Sequence, residues 1–183
     1  MNFPTKLTVF RLSFSPLVFP ALLYCFLSDT YMLGNIVLAL IFLAIGFTDF
    51  LDGYYARAYN QVSFLGSFLD PLADKFLVFS SLIALVALHK VCFYTAIILI
   101  GREFYVMGLR ELALSLSYNL PVIWSAKVKT FLQIIYITVV ILNIQTFSFL
   151  LFRLICAVAT MLVSCYSAFL YSRQLYTYYI NQK

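Results

Sequence analysis

The chain has 183 residues, of which 64% are hydrophobic and only 10% are charged. Soluble domains are about half apolar and a quarter charged, so this composition argues against a soluble enzyme, a disordered chain or a nucleic-acid-binding module. The net charge of +5 comes from basic residues scattered among apolar runs, which is typical of a membrane protein.

Six apolar runs are long enough to cross a bilayer as helices, which takes about 20 residues each. In chain order they cover roughly residues 9–28, 31–56, 64–88, 91–116, 123–142 and 147–171. Short polar separators divide them, and the runs use nearly the whole chain. We therefore predict an all-α integral membrane protein with six transmembrane helices, built as a single domain over residues 1–183. The polar and aromatic run from Tyr171 to Lys183 is expected to lie along the cytoplasmic interface.

Basic residues orient the predicted bundle. With both termini in the cytoplasm, most of them fall at the inner ends of the spans, as the positive-inside rule requires. The inner set is Lys6, Arg11, Arg57, Lys75, Arg102, Arg110, Lys127, Lys129, Arg173 and Lys183. Lys90 and Arg153 remain outside, together with Asp29, which is expected only to be solvated in an outer loop.

Four aspartates lie in the second and third runs, where ionised side chains are costly and usually functional. Asp49 and Asp52 are three residues apart, and Asp70 and Asp74 are four apart, so each pair shares one helix face. Because the chain turns between the two runs, all four carboxylates are expected at similar depth. Such a cluster needs cations, and hard oxygen ligands suit two Mg²⁺ or Mn²⁺ ions. The alternative is a structural role, in which basic neighbours pair with the aspartates.

The stretch that holds these aspartates reads D-x-x-D-G-x-x-A-R from residue 49, then eight residues, then G-x-x-x-D-x-x-x-D to residue 74. It resembles the complete signature of the CDP-alcohol phosphotransferase family. The resemblance implies that Asp49, Asp52, Asp70 and Asp74 bind two divalent ions. It also implies that Asp74 is catalytic, either as the base that takes the proton of the acceptor hydroxyl or as the group that orients this hydroxyl.

The same resemblance implies where the nucleotide of the donor binds. The residues concerned are Asp52, Gly53, Ala56, Arg57 and Gly66. The glycines have no side chain and the alanine has only a methyl group, which would let cytosine lie against the helix, and the arginine would meet a phosphate. Simple helix packing is the alternative explanation for these small residues.

Four further stretches, within residues 4–11, 68–75, 101–111 and 125–133, resemble one bacterial branch of the family. This resemblance implies transfer of the phosphatidyl group from CDP-diacylglycerol to sn-glycerol 3-phosphate, giving phosphatidylglycerophosphate and CMP. It also implies a homodimer among the lipids of the inner (plasma) membrane, with the active site facing the cytoplasm.

The implied acceptor carries a phosphate dianion, which fixed cations would bind. The candidate cations are Arg102, Arg110, Lys127, Lys129 and Arg11, and Thr8 is a further acceptor-site candidate. The two arginines of the fourth run are eight residues apart and share one face, whereas the two lysines are about 200° apart around a helix and cannot both face one ligand. The alternatives are membrane anchoring, or pairing with Glu103 and Glu111.

Other functions remain open from the residues alone. Within the same chemistry, the acceptor could be inositol phosphate, serine or phosphatidylglycerol, although the basic cluster favours a phosphorylated acceptor over serine. An intramembrane prenyltransferase also uses aspartate-rich metal motifs, but it needs more spans than this chain supplies. A divalent-cation channel could ring aspartates too, although it has no need of the glycine, alanine and arginine of the signature.

Overall fold

A computed structural model describes the backbone of residues 17–58 and 64–181, and the side chains of residues 17–46 and 75–180. Within these ranges all regular structure is helical, as predicted. The helices are α1 (Leu17–Phe26), α2 (Met32–Ala58), α3 (Phe64–Ala87), α4 (Phe93–Ser115), α5 (Trp124–Leu142) and α6 (Phe147–Asn181).

The bounds of α2 to α5 fall within two residues of the predicted runs. The last helix differs, because α6 continues without a break to Asn181, ten residues past the predicted end at residue 171. The predicted end is wrong because Tyr171 and Leu175 are buried, and their burial holds the additional turns against the rest of the unit. No glycine or proline follows Tyr171 to break the helix.

Among the residues that the structure describes, two helices are long and apolar enough to cross a membrane, by length and composition: α5 and the Phe147–Ile180 part of α6. The 19 residues of α5 span about 28 Å at 1.5 Å per residue, close to the ~30 Å of bilayer hydrocarbon. The 35 residues of α6 span about 52 Å, so this helix is much longer than the hydrocarbon is thick.

The chain forms two compact units. The described part of the first consists of α1, α2, α3 and the last turns of α5; the second consists of α4, the preceding part of α5, and α6. In the first unit, α1 packs on α2 through Phe19 and Phe42, whose ring centroids are 5.6 Å apart. In the second, α4 packs along α6 around buried Val106, Ala113 and Tyr171.

Polar side chains join three connections of the first unit. The Asn35 amide exchanges hydrogen bonds with the Ser28 backbone at 2.7 and 3.0 Å, which fixes the turn between α1 and α2. Asp29 accepts hydrogen bonds from Lys90, which follows α3, and from Asn143, which follows α5, the latter at 2.7 Å. The prediction that Asp29 is only solvated is therefore wrong. Its partners lie 61 and 114 residues away, and such long-range contacts cannot be read from local sequence.

These contacts change the acidity of Asp29. The hydrogen bond from Lys90, then that from Asn143 and the charge of Lys90, lower the pKa of Asp29 below its ordinary value of 3.8. The carboxylate form is therefore the one that the loop cluster stabilises.

In the second unit, α4 ends in a left-handed residue. Ser117 has φ 56°, and hydrogen bonds of 2.9 Å run from its N–H to the Leu114 carbonyl and from the Tyr118 N–H to the Ala113 carbonyl. This pair of bonds satisfies carbonyls that a helix end leaves open. It also turns the chain toward α5, which begins at Trp124.

Candidate active site

The four predicted metal ligands lie on two helices of the first unit that contact each other. Asp49 and Asp52 are in the last three turns of α2, and Asp70 and Asp74 are in the first half of α3. The side chains of residues 47–74 are outside the described residues, so the metal-binding set stays a prediction. Among the side chains that the structure does describe, no group of three His, Cys, Asp or Glu residues could hold a metal.

The helical backbone of these segments arranges the signature residues in two stripes. On α2, Asp49, Asp52, Gly53 and Ala56 fall at i, i+3, i+4 and i+7, which is one face of a helix. On α3, Gly66, Asp70 and Asp74 follow at steps of four. A donor set of four carboxylates is the chemistry that Mg²⁺ or Mn²⁺ selects, so the residues present fit the predicted ions. Arg57 is in the last turn of α2, with its side chain outside the described residues.

A cluster of charged side chains lies inside the second unit. The Glu103 carboxylate of α4 accepts hydrogen bonds from Arg102, at 2.7 Å, and from Lys129 of α5. Arg102 also donates from Nε and Nη2 to the hydroxyl of Ser167 on α6, at 3.2 and 2.7 Å. Arg102 and Lys129 are both buried. The cluster therefore connects α4, α5 and α6. For Arg102 and Lys129, the structure thus shows the pairing with Glu103 that was the alternative to acceptor binding.

A second arginine of α4 reaches α6 one turn beyond Ser167. The Nη2 group of Arg110 donates to the Tyr171 hydroxyl at 3.0 Å, and the Arg110 Cζ atom lies 5.4 Å from the centroid of the Tyr171 ring. The same hydroxyl accepts the backbone N–H of Ile123 at 3.2 Å. Arg110 itself is exposed, whereas Tyr171 is completely buried.

The predicted acceptor-binding residues thus divide into two groups. Arg102 and Lys129 are buried, and Arg110 and Lys127 are exposed. The two lysines do face different surroundings, as predicted from their spacing. Both arginines reach α6, in agreement with the prediction that they share one face. Thr8 and Arg11 lie outside the described residues.

Sequence reasoning missed the contribution of α6, which carries no signature motif. Its fully buried polar residues Thr160, Ser164, Ser167 and Tyr171 follow one another at steps of four, three and four. They therefore form a single stripe along the helix. This spacing in an otherwise apolar run is a signal that could have identified the stripe, since small and polar residues are common where membrane helices approach closely.

Residues 1–169 match the family model described as CDP-alcohol phosphatidyltransferase. This match covers most of the chain, so the chain belongs to that family, in agreement with the resemblance of its signature.

Curated relatives from several bacteria carry the name CDP-diacylglycerol–glycerol-3-phosphate 3-phosphatidyltransferase. The Rickettsia bellii (strain RML369-C) protein is 37% identical over 142 residues, covering 78% of this chain and 76% of the relative. The Bacillus subtilis (strain 168) protein is 34% identical over 149 residues, with 78% and 77% covered. The Pseudomonas fluorescens protein is 37% identical over 155 residues, with 81% and 76% covered.

Proposed function

We propose that the chain transfers the phosphatidyl group of CDP-diacylglycerol to sn-glycerol 3-phosphate, giving phosphatidylglycerophosphate and CMP. The observation that carries this proposal is the unbroken family signature on the contacting helices α2 and α3. The relatives that share 34–39% identity over most of the chain carry the name of this enzyme, which supports the same acceptor. The chain is accordingly an enzyme of phospholipid synthesis.

In the proposed reaction, a hydroxyl oxygen of the acceptor attacks the phosphorus that bears the diacylglycerol. The bond from this phosphorus to the bridging oxygen of CMP breaks, and CMP leaves with the bond electrons. Asp74 is proposed either to accept the proton of this hydroxyl or to orient the hydroxyl while its proton passes to solvent. Two divalent ions, when bound by Asp49, Asp52, Asp70 and Asp74, supply charge neutralisation at the diphosphate.

Gly53, Ala56 and Gly66 leave room on their helix faces for the cytosine of the donor, and Arg57 is proposed to meet one of its phosphates. We propose that polar and basic side chains bind the phosphate of the acceptor. Arg110 and Lys127 are exposed and can meet an anion directly. Arg102 and Lys129 donate hydrogen bonds to Glu103, and we propose that they contribute positive electrostatic potential without contacting the phosphate. Thr8 and Arg11 complete the proposed set.

We also propose that the whole chain is one membrane domain with six spans and cytoplasmic termini, acting as a homodimer in the inner membrane. Two observations support the alternating direction of the helices. Within the first unit, the connections after α1, α3 and α5 meet at the Asp29 cluster. Within the second, the pairs Arg102–Ser167 and Tyr118–Tyr178 show that α4 and α6 run in the same direction.

The test is CMP release by the purified protein in detergent, from CDP-diacylglycerol and one acceptor at a time. Glycerol 3-phosphate, inositol phosphate, serine and phosphatidylglycerol are offered separately, with Mg²⁺, with Mn²⁺ and with a chelator. We expect release with glycerol 3-phosphate and a divalent ion only. Release with another acceptor alone would contradict the proposed substrate, and metal flux into liposomes without CMP release would indicate a channel.

The matching variant is Asp70→Asn, which removes the charge of one proposed ligand. Changes just outside a metal's ligand shell cost about 10- to 100-fold, so loss of a direct ligand should lower kcat by about a hundredfold or more. Asp29→Asn makes the same substitution in the loop cluster and should retain wild-type kcat. Equal activity of the Asp70→Asn variant and the wild type would contradict the assignment of Asp70.

A further inference from the structure

Tyr171 occupies an unusual position for a residue of an apolar helix. Its side chain has no exposed surface, yet its hydroxyl oxygen accepts two N–H groups, from Arg110 and from the backbone of Ile123. Its ring also lies 5.4 Å from the centre of the Arg110 guanidinium. One phenol side chain therefore restrains an arginine through both its oxygen and its ring face.

The two donors belong to two different segments of the chain, and these segments also carry predicted acceptor cations. Arg110 is on α4, and Ile123 is the residue just before α5, one turn ahead of Lys127. Because both segments bond to the same oxygen atom, the position of the Arg110 guanidinium is fixed relative to the start of α5. The Tyr171 hydroxyl oxygen therefore holds the segments of Arg110 and Lys127 in a defined position relative to each other.

Arg110 is suited to receive an anion while it is held. In the described contacts only its Nη2 group is engaged, and the side chain is exposed. Arg102 differs, since all three of its side-chain nitrogens donate to Ser167 or Glu103 in a buried place. A restrained arginine loses less rotamer freedom on binding, so its ligand binds more tightly.

We infer that Tyr171 is a positioning residue for the acceptor phosphate: its hydroxyl holds Arg110, and Arg110 contacts the phosphate. This inference rests on the proposed function and deepens it by assigning a role to α6. Tyr171 itself touches no substrate in this account. Its removal should therefore weaken acceptor binding and leave the donor and the chemical step nearly unchanged.

The test is Tyr171→Phe, which removes the hydroxyl and keeps the ring. Steady-state kinetics in detergent are expected to give a KM for glycerol 3-phosphate about tenfold higher, the effect of one lost charge-assisted hydrogen bond. The kcat and the KM for CDP-diacylglycerol should stay within about twofold. The matched control is Tyr105→Phe, which removes a 2.9 Å hydrogen bond between the same two helices, to Ser172, without touching Arg110. This control should leave the KM for glycerol 3-phosphate unchanged.

A double-mutant cycle shows whether Tyr171 acts through Arg110. If it does, Tyr171→Phe added to Arg110→Ala should raise the KM for glycerol 3-phosphate no further than Arg110→Ala alone. An unchanged KM in Tyr171→Phe, an equal change in the control, or full additivity in the cycle would each overturn the inference. A wild-type protein that forms no phosphatidylglycerophosphate would instead overturn the proposed function, so the two failures are distinguishable.

Discussion

Two carboxylates, one in each unit, accept hydrogen bonds from a lysine and from a second donor, but their surroundings are opposite. Asp29 is 66% exposed and bonds Lys90 and Asn143 between loops. Glu103 is 13% exposed, and its partners Arg102 and Lys129 are 7% and 3% exposed. The same type of contact is therefore exposed to solvent at Asp29 and buried inside a helical unit at Glu103.

The difference in burial sets what each contact does. Around Asp29, water screens the charges and can replace any lost partner, so the contact mainly selects a loop conformation. Around Glu103, a cation without its partner would be left in a medium of low dielectric constant, which is costly. Glu103 is therefore expected to contribute strongly to the stability of the second unit. Asp29 is expected to contribute less to the stability of the first.

The largest expected effect follows from removing the charge of Glu103. Glu103→Gln removes a buried charge that accepts hydrogen bonds from Arg102 and Lys129, so we expect the free energy of unfolding to fall by about 3–5 kcal/mol. Denaturant unfolding in detergent measures this change. The matched control is Glu111→Gln on the exposed side of the same helix, which should change stability by less than about 0.5 kcal/mol. Equal small effects at both positions would contradict the structural role assigned to the buried Glu103 carboxylate.

A smaller loss is expected at the neighbouring contact with α6. Ser167→Ala removes the acceptor for two N–H groups of buried Arg102, which should cost about 1.5–3 kcal/mol. Ser172→Ala, which removes the partially exposed partner of Tyr105 on the same helix, is the control and should cost less. If the order of the two losses were reversed, burial would not be the deciding factor.

The smallest effect is expected at Asp29, and it depends on pH. Because the folded protein lowers the pKa of Asp29 below 3.8, this carboxylate stabilises the fold above that value, and its contribution disappears as the pH falls through the lowered pKa. The melting temperature of Asp29→Asn should therefore lie slightly below that of the wild type at pH 7. This gap should close in acid and in high salt. A gap that widens as the pH falls would contradict the assigned sign.

These contacts also show how far the sequence predicts the fold. The bounds of α2 to α5 could be predicted because polar separators interrupt apolar runs of the length that a bilayer requires. The end of α6 could not, since it depends on burial of Tyr171 and Leu175 in the second unit. The bonds of Asp29 could not be predicted either, because they join residues that are distant in the chain.

The site follows the same rule. The signature of α2 and α3 is local in sequence, so the family could be predicted from it, and the family match confirms this. The spacing of Arg102 and Arg110 predicted a common face, and their bonds to α6 agree with it. Sequence alone left open whether each cation binds the acceptor or pairs inside the protein, because the answer depends on Lys129, 26 residues from Glu103, and on α6.

The proposed reaction transfers a phosphatidyl group to glycerol 3-phosphate, and the most direct measurement of it detects the acceptor in the lipid product. The purified wild-type protein is given CDP-diacylglycerol, Mg²⁺ and glycerol 3-phosphate with a radioactive phosphorus, and both CMP and lipid-extractable label are counted. We expect the label to enter phosphatidylglycerophosphate in a one-to-one ratio with released CMP. Release of CMP with no label in the lipid would show hydrolysis of the donor instead, and it would contradict the proposed reaction.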